Sequence, residues 1–230
     1  MSSSQSRYRV KLALFVLCAI AILFLVDTAY QGLNTLSRLN IVEAERDHWQ
    51  RPSEVIQALD LKPGNVVFDL GCGSGYFTLK LSTSVDQSGR VVAEDIRRLP
   101  LVFLWLRTLQ RRQHNVSLVL GEPDDPHLPR QGVNAVLVAN TYHEFTDSQP
   151  ILAHVFGSLV SGGRLVVVDR QPHAAEQGSG NTAREDHEVS SDQVEKELRQ
   201  AGFEIVGRED HFIDNDPLHE NWWLIISRKP

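Results

Sequence analysis

The sequence predicts an α/β fold: a doubly wound, mostly parallel sheet of seven strands with an antiparallel last strand, preceded by an apolar N-terminal helix. Three observations predict it. Short β-branched runs alternate with longer helical stretches, the pattern of parallel strands joined by crossover helices. A buried strand, VVFDL, runs without a break into a glycine-rich loop at the mouth of a helix. The last two strands leave only His211 to Glu220 between them, a stretch that holds Pro217 and is too short for a crossover helix, so they must pair as a hairpin.

The first element is apolar. Leu12 to Val26 carries no charge, follows Arg7, Arg9 and Lys11, and stops at Asp27. At about 1.5 Å per residue such a run reaches roughly 22 Å against a hydrocarbon core of about 30 Å, so spanning it recruits Tyr8 to Tyr30 by snorkelling. The following LVDTAYQG offers Ala29 but no A-x-A pattern, which favours an uncleaved anchor, single-pass or monotopic, over a secretory leader. A core helix would need only one apolar face, and this run is apolar on all of them. Residues 1–30 are therefore expected to be a basic tail and membrane anchor, 31–48 a polar linker, and 49–230 the folded domain.

Within that domain strands are expected at Asn65–Leu70, Val91–Glu94, Ser117–Leu120, Ala135–Ala139, Arg164–Asp169, Glu204–Glu209 and Trp222–Ser227. Helices are expected at Pro52–Leu59, Tyr76–Thr83, Pro100–Arg112, Gln149–Leu159 and Asp192–Ala201, the last capped by Ser190 or Ser191 and stopped by Gly202. Successive side chains of a strand alternate faces, so Trp222 and Trp223 read as one core and one surface residue. The stretch from Gln171 to Val189 is too polar and glycine-rich for a core element and reads as a long loop beside the site. LPLVFLWLR, residues 99–107, is apolar on more faces than a helix packed on a sheet requires, so the anchor, a second subunit or the bilayer could also rest on it.

Composition excludes several classes. The 230 residues are 42% hydrophobic, which argues against disorder, and 23 Lys+Arg against 29 Asp+Glu give a formal charge of -6 with no long basic run, which argues against a nucleic-acid partner. Cys18 lies in the apolar stretch and Cys72 in the glycine loop, so neither a disulfide framework nor a zinc knuckle is available. His173 and His187, with Glu185, Asp186 and Glu188, match no metal-ligand spacing and read as surface groups of the polar loop, although His187 could reach an acceptor if the loop closes as a lid; no metal is expected.

VVFDLGCGSGYFT, residues 66–78, carries the sharpest functional pattern. Its glycines let the backbone turn tightly and approach a ligand. The following strand ends at Glu94 and Asp95, where an acid can accept hydrogen bonds from ribose hydroxyls. Together these elements point to a nucleoside ligand. Tyr76 occupies the third glycine position of the G-x-G-x-x-G fingerprint, which tells against a nicotinamide dinucleotide.

Asp69-Leu-Gly71-Cys72-Gly73-Ser74-Gly75 resembles the D-x-G-x-G-x-G motif of the class I S-adenosylmethionine-dependent methyltransferases. From about Trp49 onward the likeness extends through the strand-end acid Asp95, the acidic turn GEPDDPHLP (121–129), NTYHEF (140–145), LVSGGRLVVVD (159–169) and QAGFEIV (200–206). The resemblance implies a seven-stranded Rossmann-like sheet with a reversed last strand and S-adenosylmethionine as methyl donor. It places Asp69 and the loop Gly71, Cys72, Gly73, Ser74 and Gly75 on the methionine end, Asp95 on the ribose with Glu94 competing, and Asp124 or Asp125 near the adenine amino group. Asn140 would touch cofactor or acceptor. WQRPSEVIQAL followed by GYFT looks like a group of bacterial methyltransferases of loosely assigned substrate.

Methyl transfer from a sulfonium disperses charge, so alignment and exclusion of water matter most. Where the acceptor must lose a proton, His143, Tyr142 and Glu144 at the end of the fourth strand are the candidate bases; His143 can equally be a structural residue tying its loop down. The expected function is methylation of a small, lipophilic acceptor. A protein carboxyl acceptor, for which GYFT has parallels, and a non-catalytic nucleoside-binding scaffold at the membrane are the alternatives. The three basic residues before the apolar run would by themselves keep the N-terminus in the cytoplasm and export the domain. A cytosolic cofactor instead requires the domain on the cytoplasmic side.

Overall fold

The computed structural model describes residues 2–171, 189–214 and 216–230. The chain forms two compact units, residues 1–44 and 45–230. The first unit is helical and belongs to α1 (Ser2–Trp49). It exposes Leu14, Phe15, Leu17, Ile20, Leu23 and Phe24, as a helix apolar on every face does when no protein covers it. Residues 31–48, expected as a linker, continue this helix. The helix ends at Trp49, and Arg51 takes a left-handed φ of 50° before Pro52; the residue preceding a proline is disfavoured from the helical region.

In the second unit α2 (Pro52–Ala58) precedes β1 (Val66–Leu70), α3 (Tyr76–Ser84), β2 (Arg90–Asp95), α4 (Arg98–Gln110), β3 (Val116–Leu120) and β4 (Val133–Ala139). A 3₁₀ turn at Tyr142–Glu144, α5 (Ser148–Ser158), β5 (Leu159–Arg170), α6 (Ser191–Gln200), β6 (Glu204–Ile213) and β7 (Trp222–Arg228) complete it. One seven-stranded sheet results, in the order β3-β2-β1-β4-β5-β7-β6. β1 to β5 pair in parallel, and β7 is antiparallel to both β5 and β6, as the short connection before it demands.

Each local expectation has a physical outcome. Ser190 caps α6 by accepting from the Gln193 amide, and Gly202 follows its end at φ 97°. β5 starts five residues earlier than Arg164, because Leu159 pairs with Val133 across a register shift between Val133 and Ala135. No helix forms between β3 and β4, where Pro123, Pro126 and Pro129 interrupt the chain. Trp222 and Trp223 do fall on opposite faces, yet both are buried, since this sheet is covered on both sides. Trp223 packs with Leu152, Leu198 and Phe203 of the α5/α6 layer, whereas Trp222 packs with Val55, Phe77 and Phe212 of the opposite layer, 5.8 Å from the Trp49 ring.

Trp223 is fully buried and its indole N–H donates to the carbonyls of Val189 and Arg170. Trp223→Ala should therefore cost about 3–5 kcal/mol, read as a lower denaturant midpoint at unchanged slope; a loss under ~1 kcal/mol contradicts its central place in the core.

Candidate functional site

Strand order reverses between β1 and β4, because the chain builds outward to β3 and then returns to the other side of β1. Ligands of doubly wound sheets bind at the carboxyl ends of the strands at such a point. Here those ends carry Asp69, the glycine loop, Glu94, Asp95 and Asn140.

The loop is held by acids from the neighbouring strand. The Gly73 amide donates to Asp95 Oδ2 at 2.9 Å and the Gly71 amide to Glu94 Oε2 at 3.3 Å, while the Cys72 amide donates to the Glu94 carbonyl at 2.7 Å. Two glycines are sterically required. Gly71 has φ 68° and an added Cβ would lie 2.2 Å from Thr141 Cγ2; Gly75 has φ 87° and its Cβ would lie 2.2 Å from Leu104 Cδ1. Buried Arg107 of α4 reaches back to donate to the Ser74 carbonyl at 2.6 Å.

Electrostatically the cradle gathers three buried carboxyls, Asp69, Glu94 and Asp95. Asp69 accepts from Thr78 Oγ1 at 2.5 Å, and burial pushes its carboxyl up to about 6 against that bond and the positive charge of Arg46. Burial likewise pushes Glu94 up to about 7, aided by Asp95 and Asp69 and opposed by the Gly71 amide. Burial holds the Cys72 thiol far above its usual range, so it is an inert wall and not a nucleophile. Arg97 donates to Asp95 through its amide at 2.8 Å and its side chain at 3.3 Å.

A nucleoside with a charged tail fits these groups. Among the described residues, a Cβ built on Gly73 meets nothing within 4 Å. Among the described residues, the buried side-chain oxygen of Asn140, at φ 55°, has no hydrogen-bond partner, and the buried Gln50 amide nitrogen has none either. One is an acceptor suited to an ammonium, the other a donor suited to a carboxylate.

Beyond β4 the three candidate bases diverge. His143 Nδ1 lies 2.8 Å from buried Asp169 Oδ1, which also accepts from the Arg170 amide, and the second Asp169 oxygen accepts from the His143 amide at 3.2 Å. With Nδ1 donating to Asp169, Nε2 is the basic end of the ring and accepts from Arg170 Nη2 at 3.1 Å. Tyr142 is a correction to the expected base: its buried hydroxyl donates to Glu197 Oε2 at 2.6 Å and burial raises it out of reach of deprotonation. Glu144 is exposed and acts electrostatically on Arg97. A cavity of about 370 Å³ beside the turn is lined by His143, Ser148, Gln193 and Glu197, among others.

The adenine candidates also separate. Asp125 closes a turn, accepting from the His127 amide at 2.8 Å, whereas Asp124 is exposed. His173, His187, Glu185, Asp186 and Glu188 lie outside the described residues, as does most of the expected loop. Sequence reasoning missed Arg46, stacked 3.8 Å above the Tyr76 ring, and also Gln50, Arg107 and Asp169 as a partner of His143. Of these only Asp169 carried a sequence cue, as the acid ending a strand beside β4.

The strand order and glycine loop define the class I methyltransferase fold. A SAM dependent methyltransferase from Aquifex aeolicus superposes with TM-score 0.67 at 20% identity, covering 84% of this chain and 97% of that one. The geranyl diphosphate C-methyltransferase from Streptomyces coelicolor A3(2) gives TM-score 0.67 at 13% identity, covering 79% and 80%. The chain belongs to the ubiE/COQ5 methyltransferase family, whose model matches residues 21–177. Among curated relatives, the ubiquinone/menaquinone biosynthesis C-methyltransferase UbiE of Proteus mirabilis is 29% identical over 148 residues, 63% of this chain and 55% of that protein. The demethylmenaquinone methyltransferase of Geobacillus sp. is 22% identical over 132 residues, 57% and 56%. This chain thus spans about half the length of these relatives.

Asp69 and Glu94 bind protons more tightly folded than unfolded, so the stability their protonated forms contribute is lost as pH rises from the ordinary carboxylate range to about 7. Glu94→Gln should raise unfolding free energy over the parent at pH ~8, by up to about 3 kcal/mol, with the difference fading near pH ~4. Chemical denaturation at the two values decides it, and a variant less stable than the parent at the higher pH would contradict the buried-acid assignment.

Proposed function

We propose that this protein transfers the methyl group of S-adenosylmethionine to a small lipophilic acceptor of the quinone kind, with its domain held at the cytoplasmic side of a membrane by residues 12–26. The observation that carries the donor is the cradle: Gly73, tied to Asp95 and with room for a Cβ among the described residues, and the Asn140 oxygen, which no described residue satisfies. When bound, S-adenosylmethionine supplies an electrophilic methyl group. Asp95 would take the ribose hydroxyls, Asn140 and the acidic cradle the ammonium, and Gln50 the carboxylate; Asp124 is the remaining acid for the adenine amino group. The relatives' names, UbiE C-methyltransferase and demethylmenaquinone methyltransferase, support a quinone-like acceptor.

Asp169 holds His143 in the tautomer whose Nε2 can take a proton. Arg170 occupies that nitrogen, so an acceptor hydroxyl would take the place of the arginine. The polar cavity beside the turn would receive the oxygen-bearing end of such an acceptor. The anchor reading rests on α1, whose Leu14–Trp49 portion is long and apolar enough to cross a membrane, with a mean hydropathy of 2.1 over its best window and none of that window buried.

Three measurements test these roles. Full-length protein given methyl-labelled S-adenosylmethionine and membrane extract should move label into the organic-soluble fraction; label found only in protein would favour a protein carboxyl acceptor, and none anywhere would return the chain to a binding role. Asp95→Ala should weaken S-adenosylhomocysteine binding by about 1.5–3 kcal/mol in calorimetry, the scale of hydrogen bonds to a charged group. His143→Ala should lower turnover and leave that affinity nearly intact, and equal loss of both would make His143 structural.

A further inference from the structure

The face of α4 turned away from the sheet is apolar. Leu101, Leu104, Arg107 and Thr108 are buried, and Leu104 fills the space beside Gly75. On the opposite side Leu99, Val102, Trp105 and Leu109 are 67%, 49%, 51% and 52% exposed. Spacings of three, three and four residues bring these four side chains onto one stripe of the helix. Single exposed apolar residues are ordinary on a protein surface, but an aligned stripe that includes a tryptophan is not. Ile96, just before the helix, adds to the apolar character at 51% exposed.

Charge says what covers it. From Ile96 to Leu120 the sequence has five arginines, Arg97, Arg98, Arg107, Arg111 and Arg112, and no acid, within a protein whose formal charge is -6. Arg98 opens the helix and Arg111 and Arg112 follow it, all three exposed. An apolar stripe with an aromatic at its middle and cations at both ends matches a bilayer surface: acyl chains under the stripe, anionic headgroups at the arginines. At 13 residues, about 20 Å, the helix is too short to span and would lie in the interface.

We propose that α4 is a second membrane contact, docking on an anionic bilayer surface beside the cofactor cradle. This rests on the reading of residues 12–26 as an anchor, which would keep the domain at the bilayer. Its consequence is positional. α4 begins three residues after Asp95 and braces Ser74 through Arg107, so the helix that touches lipid also supports the loop that holds the nucleoside. A lipophilic acceptor could then pass from the bilayer to the cleft without crossing water.

The test uses the full chain reconstituted into vesicles of phosphatidylcholine and phosphatidylglycerol, with and without brominated acyl chains, which quench nearby tryptophan. The difference between the parent and Trp105→Phe isolates one indole from Trp49, Trp222 and Trp223. The Trp105 component should be quenched by brominated lipid, and less so after joint replacement of Arg98 and Arg112 by glutamate or in phosphatidylcholine alone. Carbonate extraction of the same vesicles reports the anchor separately. Protein that resists extraction but shows no quenching of Trp105 overturns the α4 contact and leaves the anchor standing, whereas protein released by carbonate and unquenched overturns both. A Trp105→Glu variant that turns a dimer into a monomer in detergent, with no lipid quenching in the parent, would assign the stripe to a second copy instead and overturn the proposal.

Discussion

The site depends on backbone amides given to buried carboxylates. Where β1 ends, the chain must leave the sheet, reverse and enter a helix, and the orphaned N–H groups of that turn need acceptors. β2 supplies them: Glu94 accepts from Gly71, and Asp95 from Gly73. The fit is close on every side, since a Cβ on Gly121 would fall 1.9 Å from Glu94 Oε1, and Leu104 and Arg107 press the far side of the loop. Closing such a cradle in a buried place makes its carboxyls costly to ionise. A positively charged ligand would relieve that cost, which links the stability of the apo site to its choice of ligand.

Sequence made the cradle legible because its parts are local. Asp69 to Thr78 and Arg90 to Asp95 are each read along one strand-and-turn unit, and the register that pairs Asp69 with Ala93 brings them together. The reversed last strand was equally readable, since the length from His211 to Glu220 forbids a crossover. Contacts across the sheet were not. Asp169 meets His143 from 26 residues away, and only the parallel pairing of β4 and β5 puts those two strand ends side by side. Tyr142 shared a motif with His143, yet the helical turn points it to Glu197. Nor could alternation alone settle the fate of Trp222, because the face it meets is covered by α2, α3 and the segment ending in Trp49. Residues 31–48 are helical despite their polar composition, because nothing in them stops a helix before Pro52.

The two halves of the sheet end in different side chains. Under the proposed function β1, β2 and the glycine loop would form the nucleoside end, and the turn after β4 with Asp169, Arg170 and the polar cavity would form the acceptor end. The apolar first unit and the α4 stripe are separate features of the chain.

The most direct test of the cradle's assignment is calorimetric titration of the detergent-solubilised full chain with S-adenosylmethionine, S-adenosylhomocysteine and NAD in parallel. The account expects both sulfur nucleosides to bind and NAD to fail, since Tyr76 stands where a dinucleotide loop needs glycine. Binding of NAD alone, or of none of the three, would contradict it and leave the glycine loop a structural turn.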